Sequence, residues 1–233
     1  MPRTVRSNWF CRPRSSPCSI LAFLAFLIAL AACTTVQAPP LSTSLGLPAL
    51  ENMGELYQRN AAIAVYVEPK LRDLMLRGEY KLTKFEFRAG GAFVAKLLKA
   101  LSYNFNRVVI LKSMERKPEP PTDATMTVAL QDADMSFEIK PGFATVTTTS
   151  FARLVVRAEL RDDQGKVVWV GAARSEGQGE GQSRMLTEEE AGRQIALGVE
   201  SAIDITVADL IKQMTQSPNM RRHLQEWEQR RRT

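Results

Sequence analysis

The chain has 233 residues, 45% of them hydrophobic, with a formal charge of +6 and a sequence pI near 9.4. The basic balance sits at the two ends. Arg3, Arg6, Arg12 and Arg14 precede residue 33, and residues 221–233 hold five arginines and two glutamates, which leaves 33–220 near −1. The pI is therefore no argument for nucleic-acid binding, which needs a basic patch on the folded domain, and a single histidine and three cysteines leave little for a transition-metal site.

Ile20 to Ala32 is a thirteen-residue run without charge. A permanent span needs about 20 apolar residues, so the run suits the apolar region of an export signal. With arginines upstream and no acidic residue before Glu51, the chain beyond residue 33 is expected to be exported. The run ends in Leu30-Ala31-Ala32-Cys33, which resembles the bacterial lipobox, Leu-(Ala/Ser)-(Gly/Ala)-Cys. The resemblance implies diacylglycerol on the Cys33 sulfur, cleavage before it and acylation of the new amino terminus. The alternative is an ordinary signal with an incidental cysteine. Anchoring follows from chain number: each buried CH₂ contributes roughly 0.8 kcal/mol, and two chains hold where one does not. Thr34, in place of an aspartate after the cysteine, favours the outer membrane. Cys11 and Cys18 leave with the signal, so the mature chain is expected to have no disulfide and to rely on core burial. The expected partition is a signal over 1–32, a lipid anchor and flexible tether over 33–60, a periplasmic domain over 61–216 and a basic C-terminal helix or tail over 217–233.

Within the domain, Ile63, Val65 and Val67 alternate as in a strand that Pro69 ends. Tyr80 to Arg88 reads as a strand with an irregularity at Thr83-Lys84, and Gly90-Gly91 as a break. Phe93, Val94, Leu97, Leu98 and Leu101 recur at helical spacing, with Lys96 and Lys99 elsewhere on the wheel. Arg107 to Lys112 returns as a strand, and the short connection is compatible with parallel neighbours. After a loop at Lys117 to Pro121, apolar residues fall at even positions (Met126, Val128, Leu130) and then at odd ones (Ala133, Met135, Phe137, Ile139). That change of parity predicts a β-bulge or a change of face near Asp132-Ala133. A turn at Pro141-Gly142 leads to a strand through Leu160, with Ala152, Leu154, Val156, Ala158 and Leu160 on its dry face. The turn Asp162-Asp163-Gln164-Gly165 and a strand over Val167 to Arg174 complete a three-strand meander. Thr187 to Glu190 forms a capping box for a long helix whose stripe runs from Ala191 to Met214, expected to pack across the dry sheet face. The fold class is α+β: an antiparallel or mixed sheet with two helices on one face, in the order strand, helix, strand meander, helix.

Four features invite chemistry. Glu176-Gly-Gln-Gly-Glu-Gly-Gln182 lies where phosphate loops sit, but its spacing is wrong for one and Glu180 repels phosphate; it reads as a flexible connection. Asp132, Asp134 and Glu138 are the best carboxylate cluster for acid–base work, although the bulge is expected to separate their faces and strand charges commonly guard an edge. His223, in the polar tail, suits neither a metal site nor a catalytic relay. Arg221, Arg222, Trp227, Arg230, Arg231 and Arg232 form a basic amphipathic segment able to meet an anionic surface or partner; the alternative is a solvated helix whose tryptophan packs on its own domain.

From Ala124 on, ATMTVALQDADMSFEIKPG, ARLVVRAELRDDQGKVVWVGAARSEGQGEG, the long helix and IKQMTQSPNMRRHLQE together resemble the YajG-type family of uncharacterised bacterial envelope lipoproteins. The resemblance implies a location and a fold type and no reaction. The expected function is a non-catalytic, outer-membrane-anchored periplasmic accessory or binding protein, without cofactor, whose partners are the membrane and an envelope protein or glycolipid. The alternatives are a lipid or glycolipid handler in outer-membrane biogenesis and an envelope hydrolase working through Asp132, Asp134 or Glu138.

Overall fold

A computed structural model describes residues 35–37, 39–44, 59–81, 83–115, 118–184 and 187–230. The central sheet has five strands in the order β5-β2-β6-β7-β8: β2 (Arg59–Val67), β5 (Phe105–Leu111), β6 (Ala124–Pro141), β7 (Val146–Asp162) and β8 (Val167–Ser183). β2 pairs parallel with both β5 and β6, while β6, β7 and β8 form an antiparallel meander. The sheet is therefore mixed, within an α+β fold. A second sheet, of three strands, joins the hairpin β3 (Leu76–Tyr80) and β4 (Thr83–Phe87) to β1 (Thr35–Gln37), which lies parallel to β4.

The helices are α1 (Pro69–Arg72), α2 (Ala89–Asn104), α3 (Glu188–Gln216) and α4 (Pro218–Arg230). None among the described residues is long and apolar enough to cross a membrane. The 29-residue α3 lies on β7 and β8, touches α2, and is capped by Thr187, whose Oγ1 accepts from the Glu190 amide at 3.2 Å. Its expected stripe is buried throughout, from Ala191 through Ile195, Val199, Ile203 and Leu210 to Met214. Under it lie Ala152, Leu154, Val156, Ala158 and Leu160 of β7.

The parity change in β6 is a bulge. Leu130 pairs with Val156 and Asp132 with Val155, so Gln131 is the extra residue. It keeps Val128 and Leu130 before it, and Met135 and Ile139 after it, on the buried face. The turn after β7 is also as read, with Gly165 at φ +80° and the Asp162 carboxylate accepting from the amides of Gln164 and Lys166.

Several expectations are corrected. The irregular strand at Tyr80 to Arg88 is a hairpin, because Lys81 takes a left-handed φ of 55° and turns the chain. Gly90 and Gly91 lie inside the first turn of α2. A Cβ on Gly90 would sit 2.3 Å from the carbonyl oxygens of Leu71 and Arg72, so this glycine permits a close approach of backbones and breaks nothing. Lys96 is buried, 1% exposed, with its Nζ 2.7 Å from Asp204 Oδ1 on α3. The sequence 176–182 is no loop: it continues β8, paired with β7 out to Ser183. Part of the expected tether is held on the domain by the β1–β4 pairing, by Leu41 packed at the core, and by the Ser42 amide donating to Glu200 at 2.6 Å. The expected C-terminal helix or tail is a helix, α4, and it joins the core, with Met220, Leu224 and Trp227 buried.

Candidate functional site

The glycines of β8 alternate with polar residues, so Gly177, Gly179 and Gly181 share one face. That face is covered by α3. A Cβ on Gly177 would meet Ala202 N at 2.2 Å and Gly198 O at 2.3 Å, and one on Gly179 would meet Gly198 N at 2.5 Å. The absent side chains let helix backbone rest on strand backbone. Nearby, Ser150 Oγ donates to Gln194 O at 3.3 Å, and the Ser175 and Thr206 hydroxyls lie 2.6 Å apart. The motif that resembled a phosphate loop is a packing surface.

The opposite face of the meander carries the carboxylates. The bulge was expected to separate Asp132 from Asp134, but the register places both, with Glu138, on this outer face: Asp132 pairs with Val155, Asp134 with Arg153 and Glu138 with Thr149. The extra residue is Gln131, which precedes all three. Arg153 donates to Asp132 at 2.7 Å and is flanked across β7–β8 by Glu176. Lys140 pairs with Glu138 at 2.9 Å. An open groove of about 400 Å³ runs along Asp134, Ser136, Phe151, Arg153, Glu176 and Gln178. Both members of the Asp132–Arg153 pair are about half exposed, and surface pairs of this type contribute about 0–1 kcal/mol. The groove presents charges bound to one another in an open, wet setting, a geometry suited to polar contact. Phe151, 47% exposed, supplies its apolar element.

The second cleft, about 480 Å³, lies between α4 and the turn after β7 and is lined by Asp162, Asp163, Lys166, His223, Glu226 and Arg230 among others. His223, expected on a solvated tail, is 9% exposed; its Nδ1 lies 3.1 Å from Glu226 Oε2 and its ring tilts over Trp227 at 6.1 Å. Trp227 is 1% exposed. This corrects its place among the surface residues: the apolar stripe of α4 turns inward against β2, β8 and α3. Arg221 and Arg222 remain exposed, bonded to Gln216 O and Asn219 Oδ1 on their own chain segment, and Arg230 pairs with Asp163 at 3.3 Å. Cys33, Arg231 and Arg232 lie outside the described residues. No group of three or more His, Cys, Asp or Glu side chains is placed to hold a metal among the described residues. Elsewhere among the described residues, a hydrogen bond from the Arg72 guanidinium holds the exposed Asp73 carboxyl below its usual range, and the same bond raises the guanidinium.

Sequence could have found the glycine surface, since its period of two is a strand period. The burial of Trp227 is the alternative that the amphipathic stripe offered, a tryptophan packed on its own domain, whereas nothing in the sequence signalled that His223 is buried beside it.

No family model matches the chain, and no curated protein matches it. Solved structures do. The Xanthomonas campestris protein XCC0632, described with family DUF330, is similar at 10% identity and a TM-score of 0.38, over 78% of this chain and 98% of that one. A putative neuraminyllactose-binding hemagglutinin homolog from Helicobacter pylori is similar at 9% identity and a TM-score of 0.45, over 83% and 99%. A minor lipoprotein from Acinetobacter baumannii is similar at 14% identity and a TM-score of 0.34, over 71% and 95%.

Proposed function

We propose that this chain is a bacterial envelope lipoprotein, anchored through acyl chains on Cys33 to the periplasmic face of the outer membrane, whose α+β domain serves as a non-catalytic binding or accessory module. The observation that carries the reading is the sequence Leu30-Ala31-Ala32-Cys33 at the end of an uncharged thirteen-residue run preceded by four arginines. Supporting it, residues 34–233 contain no cysteine, so nothing else competes for a role for that thiol. The open groove beside Arg153, with paired charges and an exposed Phe151, is suited to contact with an envelope protein. Fractionation tests the anchor. The wild-type chain is expected in the outer-membrane fraction, and Cys33→Ala in the soluble periplasmic fraction or retained with its signal uncleaved; equal membrane recovery of a cleaved Cys33→Ala chain would refute it. Crosslinking in intact cells tests the binding role: wild type should return one envelope partner, lost on Arg153→Glu, and repeated recovery of none would count against it.

A further inference from the structure

The start of the folded unit lies at one end of it. The chain joins the fold at Thr35, whose backbone pairs with Lys84 at the start of β4. Beside it, the Thr83 hydroxyl meets Glu188 at 3.1 Å, at the first residue of α3. The same end of α3 lies near the end of β8, since Gly181 sits under the Gln194 side chain, and the last rung there is Ser183 with Val146 and Pro141. Thr35 and the β6–β7 turn therefore lie at one end of the molecule. Two residues of extended chain span at most about 7 Å. A lipid on Cys33 would thus hold this end at the bilayer, and not release the domain on a long leash.

At that end stands Phe143. It is fully exposed, more than any other large apolar residue among those described. The turn that carries it is closed by the Gly142 amide donating to Thr145 O at 2.7 Å, so the ring is held out with none of its own domain to pack on. The charges placed at this end are of both signs: Lys84 and Lys140 against Glu138, Glu180 and Glu188. Such an end has no strong field for a polyanion. A single aromatic at the tip of a polar hairpin suits the boundary between headgroups and acyl chains.

We infer that the β6–β7 turn, through Phe143, inserts into the interface of the leaflet that carries the lipid anchor, standing the domain upright on the membrane with the turn Asp162–Gly165 pointing away. This rests on the reading of Cys33 as lipidated. The two turns are roughly 50 Å apart along β7 at ~3.3 Å per residue.

The test uses the full mature chain in vesicles of phosphatidylethanolamine and phosphatidylglycerol doped with nitroxide lipid. Phe143→Cys and, separately, Gln164→Cys carry an environment-sensitive fluorophore, and the mass of each sample reports the state of Cys33. The Phe143 site is expected to shift its emission to the blue and lose most of it to the quencher, while the Gln164 site keeps a solvent-like emission. With Cys33 lipidated, solvent-like emission at both sites, or equal quenching at both, overturns the orientation. An unmodified Cys33 thiol overturns the anchor and the orientation with it.

Discussion

At the residue scale, the decisive positions are those where a side chain has no room or no alternative partner. Gly177 lies under the backbone of Ala202 and Gly198, which cannot rotate away. Gly177→Val is expected to cost about 3 kcal/mol or more, read by denaturant unfolding. Gly91 is the counter-case: it sits in the first turn of α2 with open space around a would-be Cβ. Gly91→Ala should stabilise by about 0.5–1 kcal/mol through helix propensity. If both substitutions cost the same, the close helix–strand approach is not what the glycines serve. Lys96 gives a third test. Its ammonium is buried against Asp204, at 2.7 Å. Removing one partner of a buried pair leaves a desolvated charge, so Asp204→Ala should cost about 3–5 kcal/mol. The double variant Lys96→Met with Asp204→Ala should recover much of that loss, and a double-mutant cycle measures how much.

At the element scale, the bulge in β6 does the most with the least. One extra residue, Gln131, lets an eighteen-residue strand keep its apolar side chains buried although their parity changes midway. Deleting Gln131 would turn Met135 and Ile139 to water or Val128 and Leu130 away from the core. The variant is expected to lose cooperative thermal unfolding, whereas Gln131→Ala should melt within a few degrees of wild type. This feature was legible because period-two patterning is strict where one face is dry. The hairpin at Lys81 was less legible: a parity slip at Thr83-Lys84 registers an irregularity without saying that the chain reverses. The glycine segment of β8 was misread because composition outweighed period; three glycines suggest a loop until a helix is known to lie on them. Lys96 was placed off the apolar stripe of α2, and only the arrival of Asp204 from a distant helix makes its burial tolerable. Among the candidate site residues, the register of Asp132, Asp134 and Glu138 depended on which single residue is extra, which alternation alone does not specify. Trp227 depended on which surface α4 meets. Its burial leads to another test: Trp227→Ala should destabilise the whole unit by about 3–5 kcal/mol, where a solvated terminal helix would lose almost nothing.

At the scale of the whole molecule, an α+β unit with a mixed sheet brings its chain start, the β6–β7 turn and the first turn of α3 to one end, and the cleft lined by His223 to the other. The outer sheet face between these ends is the open surface, carrying balanced charges around Arg153. The proposed anchored module would use one end for the membrane and one face for a partner. All of it depends on what is attached at Cys33. Intact mass measurement of the mature protein purified from its own membranes addresses this directly. The account predicts a chain beginning at residue 33, with a thioether-linked diacylglycerol on Cys33 and a further acyl group on its amino terminus. A mature chain with a free Cys33 thiol, or one still carrying residues 1–32, would contradict it.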